Sequence, residues 1–88
     1  MRFIVCYDIS DNRKRLKVSK LLKGFGIRTQ YSVFEVDCSK NVMDAIIIAV
    51  DSIIDPVDKF FVYPVDDRNI HKIKRIGVVS SGDLINYI

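Results

Sequence analysis

A single histidine, two cysteines and four glycines leave this chain little material for several common chemistries. His71 lies in the polar stretch "DDRNIHKIKRIG" and reads as a surface residue, so no Ser-His-Asp relay can be built around it. Cys6 and Cys38 lack metal-ligand spacing and fall in apolar stretches. That excludes a zinc pattern and points to two buried, unpaired thiols in a reducing compartment. The glycines form no phosphate-binding loop. The apolar run "VMDAIIIAV" is too short to span a bilayer and is interrupted by Asp44. The chain enters "RFIVCYDI" directly, without a small-residue cleavage pattern, so a cytoplasmic protein with no membrane contact is expected.

What is present is a chain of 88 residues, which is the size of one domain, so residues 1–88 are read as a single unit. Hydrophobic residues make up 49% of it, a globular composition. A domain this small buries only ~60% of its unfolded surface, so it gains from a partner. The net charge of +3 matters less than its distribution. Residues 13–23 carry Arg13, Lys14, Arg15, Lys17, Lys20 and Lys23 with no acid among them. Residues 68–75 repeat the pattern with Arg68, Lys72, Lys74 and Arg75. Such runs are commonly solvated faces, but two acid-free runs in one small domain favour a polyanion.

Residues 2–9 form a continuous apolar run, as in a central strand covered on both faces. Alternation places Ile4, Cys6 and Asp8 on one face and Phe3, Val5 and Tyr7 on the other. Ser10 or Asp11 caps a helix whose buried stripe is Val18, Leu21, Leu22 and Phe25, with Gly24 and Gly26 at its end. Arg13, Lys17, Lys20 and Lys23 fall on the opposite side, and Leu16 has no evident purpose there. "IRTQYSVFEVDC" reads as one bent strand or a tight hairpin. "SKNVMDAIIIAVDSIIDP" has strand propensity in its centre. Yet Met43, Ile46, Ile47, Val50 and Ile54 make a helical stripe, with Ser39 or Asn41 as cap and Asp55-Pro56 as stop; its length favours helix. "KFFVYPV" is a strand whose Pro64 belongs at an edge, Asp66-Asp67 reads as turn chemistry, and a short strand is expected before Gly77. "DLINYI" is a further strand-like piece. The order predicts an α+β fold, a ferredoxin-like βαββαβ sandwich with an extra C-terminal strand. Two helices cover one sheet face only, so the other is expected to be covered by a symmetric homodimer.

Chemistry then centres on Asp8, where the first strand meets the basic helix. Alone it is an ordinary strand-end acid. On a two-fold axis it would stand beside its counterpart, and a divalent cation resolves the repulsion of two carboxylates. Magnesium is held by one or two carboxylates, with waters and substrate phosphates completing its shell. Such an ion polarises a phosphodiester while the helix holds the nucleic-acid backbone. Tyr7, Tyr31, Phe34 and Tyr63 are candidates for stacking on bases, although strand aromatics usually belong to the core.

The stretch "VCYDISDNRKRLKVSKLLKGFGIRTQYSVFEV", with "FFVYPV" and "RIG" matching more loosely, resembles the small CRISPR-associated nuclease family that accompanies the spacer integrase, CRISPR-associated protein two. The resemblance covers most of residues 1–77. It implies a ferredoxin-like homodimer in which the tail strand, residues 78–88, adds to the partner's sheet. It also implies magnesium- or manganese-dependent hydrolysis of single-stranded RNA or double-stranded DNA. By the same resemblance Asp8 is the metal-binding catalytic residue, adjoined by Tyr7, and nucleic-acid-binding positions fall on Arg15, Lys17, Arg28 and Phe34; Arg13, on the basic side of the helix, is expected to bind nucleic acid with them. Lys17 stands where arginine is common, which keeps the charge but loses bidentate phosphate geometry. The partners implied are a second copy, nucleic acid and the integrase. The alternative function is a non-catalytic adaptor that holds spacer DNA and bridges integrase dimers. A third reading, a regulatory domain binding a small anion, has little use for two basic runs.

Overall fold

The computed structural model describes residues 1–77; the expected tail strand lies outside them. The first apolar run forms β1 (Arg2–Asp8), and Asp11 rather than Ser10 caps α1 (Asn12–Lys23), its carboxylate accepting from the Lys14 backbone N–H at 2.9 Å. The aromatic and β-branched stretch resolves into a hairpin, β2 (Gly26–Gln30) and β3 (Val33–Asp37), turning at Tyr31-Ser32. Ser39 caps α2 (Lys40–Asp51), accepting from the Val42 N–H at 3.2 Å, and β4 (Lys59–Val65) follows.

The sheet runs β2-β3-β1-β4 with every neighbouring pair antiparallel, which is the expected ferredoxin-like arrangement. Alternation along β1 works as its sequence demands. Phe3, Val5 and Tyr7 are buried beneath the helices with Phe34 and Val36 of β3. Val18 and Leu22 of α1 and Met43, Ile46 and Val50 of α2 complete that core. Each such side chain stabilises the fold by about 1.5–3 kcal/mol when fully buried. Pro64 sits on β4, an outer strand, where a missing N–H costs least.

Four expectations need correction. Phe25 is exposed rather than part of the buried stripe, because α1 stops at Lys23 and Gly24 turns the chain before Phe25 can complete another turn. Ile54 lies beyond the end of α2, and Ile47 is more than a third exposed, so the stripe of α2 is Met43, Ile46 and Val50. Residues Asp67–Lys72 form a 3₁₀ helix instead of a turn and short strand, with Asp66 at its N-terminal boundary and His71 exposed in its last turn. Both cysteines are unpaired, as expected, but half-buried: Cys6 points to the uncovered face, and Cys38 lies just past β3. Partial burial raises the pKa of Cys38 above that of a free thiol.

Gly26 is required by close approach, since a Cβ there would lie 2.3 Å from the Glu35 carbonyl oxygen. The uncovered face mixes apolar and charged groups. Ile27, Phe61 and Tyr63 are substantially exposed there, whereas Glu35 is buried between the guanidinium groups of Arg2 and Arg75. Arg2 also donates to both carboxylate oxygens of Asp37, at 2.9 and 3.0 Å. That hydrogen-bonded pair, more than the nearby charge alone, holds the Asp37 carboxyl below its ordinary pKa. A depressed folded-state pKa gives stability that is present above the unfolded value and lost as pH falls through the folded one. Asp37→Asn is therefore expected to lower stability at pH 7 by no more than about 1 kcal/mol, since the carboxylate is largely exposed. The gap to wild type should close as pH falls below the ordinary carboxylate range; thermal melts at neutral and at strongly acidic pH, showing a constant gap, would refute this.

Candidate nucleic-acid interface at the end of the first strand

Asp8 is the last residue of β1 and is exposed, with Lys59 its cross-strand partner at the start of β4. The chain then dips so that Ile9 is buried, and Ser10 donates its N–H to the Asp58 carboxylate at 3.2 Å. Asp58 also accepts the Asp55 N–H at 2.9 Å, and Asp55 accepts from the Lys14 ammonium at 2.5 Å. These bonds tie the loop after Asp8 to the loop before β4 and to α1. The hydrogen bond from Lys14 to Asp55 holds the ammonium pKa above its usual value. Lys14 is thus committed to an intramolecular contact, while Arg13, Lys17, Lys20 and Lys23 are exposed without a carboxylate partner among the described residues.

Arg15 turns the other way. Its guanidinium donates to the Ile9 carbonyl at 2.8 Å and to the Asn12 side-chain oxygen, which places its charge beside the loop that carries Asp8. Arg28 of β2 lies on the helix side of the sheet, opposite Phe34. Its Cζ stands 5.4 Å from the Phe34 ring centroid, and it donates to the buried Ser19 hydroxyl at 2.5 Å. Tyr7 is buried, its ring stacked on Phe34 at 6.3 Å between centroids. Phe34 is 0% exposed, so it meets the surface only through the Arg28 guanidinium above it. The structure therefore brings Tyr7, Arg15 and Arg28 to one groove above Phe34, links that groove to Asp8 through Arg15, and sets Arg13 and Lys17 on the exposed side of α1.

An open groove of about 700 Å³ runs between α1 and the β2–β3 hairpin, with Tyr7, Arg15 and Arg28 among its lining residues. A smaller hollow of about 280 Å³ shares Arg15 and Tyr31 with it and includes Asp8 and Ser32. Tyr31, a stacking candidate from the sequence, lines the groove, whereas Asn12 and Ser19 escaped the sequence reading and Leu16 had no purpose in it. The three on the helix had a signal. Asn12, Arg15, Leu16 and Ser19 follow i, i+3, i+4, i+7 and form a second stripe on α1, distinct from its core stripe.

Among the described residues no three His, Cys, Asp or Glu side chains converge as a metal cage. Asp8 alone fits magnesium or manganese only if waters, phosphate oxygens or a second copy complete the shell, which is how magnesium is commonly held. Among the described residues, no helix is long and apolar enough to cross a membrane.

The model of the family "CRISPR associated protein Cas2" matches residues 1–73. A CRISPR-associated endoribonuclease Cas2 of Rhodospirillum rubrum is 42% identical over 64 residues, covering 72% of this chain and 52% of the relative. One from Mycobacterium tuberculosis is 35% identical over 80 residues, covering 91% and 64%. The chain thus spans between half and two-thirds of the length of these curated relatives. Among solved structures, a hypothetical protein of Thermus thermophilus superposes with a TM-score of 0.79 at 30% identity, covering 90% of this chain and 93% of that one. Cas2 of Streptococcus pyogenes gives 0.76 at 30% identity, covering 88% and 100%. With 73 of its residues matched and its sheet superposed on that of a Cas2 crystal structure, the chain belongs to the CRISPR associated protein Cas2 family.

Proposed function

We propose that this protein is a nucleic-acid-binding endonuclease of the CRISPR system, hydrolysing phosphodiester bonds at a site built around Asp8. The observation that carries this reading is the hollow that the exposed Asp8 lines together with Arg15, whose guanidinium is fixed by the Ile9 carbonyl one residue further along the chain. The arginine holds a phosphate and Asp8 holds the cation facing it. Bound magnesium or manganese would polarise the phosphodiester and lower the pKa of an attacking water. Arg28, steadied by Ser19 and Phe34, supplies a second fixed charge along the strand's path. Arg13, Lys17 and Lys20 on the outer face of α1 hold more distant phosphates in a salt-sensitive manner. The names of the curated relatives, endoribonucleases, support RNA as one substrate class.

The working form is a homodimer assembled through the uncovered sheet face, with the two Asp8 carboxylates brought to one axis. Ile27 at 38%, Phe61 at 50% and Tyr63 at 53% exposure give that face apolar surface that a second copy would cover. Phe61→Lys with Tyr63→Lys is expected to halve the sedimenting mass and to abolish cleavage while leaving the monomer folded. An unchanged sedimentation profile would exclude this face as the interface.

The second reading is an adaptor that uses the same basic faces to hold spacer DNA and dock the integrase. Its support is that four cations on α1, Arg13, Lys17, Lys20 and Lys23, are exposed outside the hollow that contains Asp8. The deciding experiment measures cleavage of labelled single-stranded RNA and double-stranded DNA with magnesium, with manganese and with chelator, for wild type and Asp8→Ala in parallel. Activity that needs both metal and Asp8 establishes the nuclease. No activity, with salt-sensitive DNA binding retained, leaves the adaptor.

A further inference from the structure

The groove between α1 and the hairpin has chemistry beyond holding phosphates. Arg2, Arg68 and Arg75 are each paired with a carboxylate. Arg15 and Arg28 are not; they rest on neutral acceptors, namely the Ile9 carbonyl, the Asn12 amide oxygen and the Ser19 hydroxyl. Two guanidinium groups are therefore held in place with their charge uncompensated, and no acid lines the groove. On its rim stand two apolar side chains that packing does not explain. Tyr31, at the hairpin turn, is 73% exposed, and Leu16, on α1, is 60% exposed. Both line the same groove, Leu16 from the helix and Tyr31 from the hairpin, and its volume of about 700 Å³ is that of a small-ligand site. Tyr31 is placed by a bulge in β2, where the register with β3 slips between Arg28 and Gln30.

We propose that this groove is a base-binding subsite for an unpaired nucleotide of a single strand, whose base lies against Tyr31 and Leu16 and whose flanking phosphates meet Arg15 and Arg28. The physical reason is selective. Every nucleobase has a face that stacks on an aromatic ring, but in a duplex both faces are covered by neighbouring pairs. Only an unpaired base can enter. Because Tyr31 and Arg15 also border the hollow that contains Asp8, a base seated here carries its own backbone toward that carboxylate. The subsite rests on the nucleic-acid reading of the Asp8 site but does not depend on cleavage.

The test is equilibrium binding in chelator, so that nothing is cut. The probes are a labelled single-stranded RNA, the same strand with abasic sugars, the corresponding RNA duplex, and single strands of DNA with and without bases. Wild type is expected to bind the base-bearing RNA strand roughly tenfold more tightly than the abasic one, the usual size of one stacked base. Tyr31→Ala and Leu16→Ala should erase most of that ratio, Tyr31→Phe should keep it, and duplex binding should change by less than about twofold, since duplex contacts are to phosphates. The same base-dependent gain on DNA would show that the subsite reads the base and ignores the sugar. Equal affinity for base-bearing and abasic strands overturns the subsite, as does a Tyr31→Ala loss that is as large for duplex as for single strand. A protein that cuts nothing with magnesium but keeps the base-dependent ratio retains the subsite and loses the nuclease.

Discussion

Asp8→Ala is expected to lower metal-dependent cleavage by at least about a thousandfold, while RNA and DNA binding in chelator stay the same or tighten slightly. The magnitude follows from what a bound cation supplies: several kcal/mol of charge stabilisation, of which ~4 kcal/mol corresponds to a thousandfold in rate. The direction of the binding change follows from charge, because removing a carboxylate beside Arg15 leaves the guanidinium more attractive to phosphate. Stability should hardly move. Asp8 is exposed at a strand end, and its carboxylate makes no hydrogen bond or ion pair among the described residues. An unchanged melting temperature therefore separates lost chemistry from lost fold. Cleavage that survives the substitution would place the chemistry elsewhere or in a contaminant, and the Asp8 site would then be a structural feature of the strand end.

The order of elements was legible because local signals agreed with one another. The alternation in "RFIVCYD", the Asp11 and Ser39 caps and the Gly24 stop all act within a few residues, and the structure honours them. The failures share a cause. Phe25 and Ile54 continue a helical period beyond the point where the chain has already turned, so periodicity alone overran the ends of both helices. The stretch after β4 carries β-branched residues, but Asp66 and Asp67 begin a 3₁₀ turn that the hydrophobic pattern does not register.

The site was legible in part for the same reason. Asp8 and the basic helix adjoin in sequence, so their meeting needs no knowledge of the fold. Arg28 and Phe34 meet across the hairpin register and find Ser19 nine residues away on the helix, a contact only the tertiary structure can supply. Leu16 illustrates the limit most clearly. It looks misplaced while α1 is considered to have one buried and one solvated side. Its purpose emerges once the hairpin is seen to make a third surface, and the stripe from Asn12 to Ser19 faces that surface. The six cations of residues 13–23 divide accordingly: Lys14 to Asp55, Arg15 to the groove, and the remainder outward.

Glu35→Leu is expected to be the most destabilising single change in the uncovered face. The Glu35 side chain and that of Arg75 are each only 8% exposed, and Arg2 is 13% exposed beside them. Removing the carboxylate from such a buried set costs about 3–5 kcal/mol, because the Arg2 and Arg75 guanidinium groups lose the acceptor that lies between them. Arg2 retains Asp37, so the cost falls mainly on the contact with Arg75. For a domain of this size the melting temperature should fall by more than about 10 °C. The contact also has a geometric consequence. Arg75 follows the 3₁₀ helix, and with Ile73 and Ile76 it lies beside Ile4 and Val33 on the face through which the second copy would dock. Glu35 therefore fixes that segment against its own sheet, and releasing it should weaken self-association as well as stability. Replacing both partners with apolar groups, Glu35→Leu with Arg75→Met, removes the buried charges together and should recover more than half of the lost stability. Recovery of stability without recovery of the dimer would show that the Arg75 segment serves assembly itself. A melting temperature within about 4 °C of wild type for Glu35→Leu would mean that water reaches this cluster freely and that Glu35 is an ordinary surface ion pair.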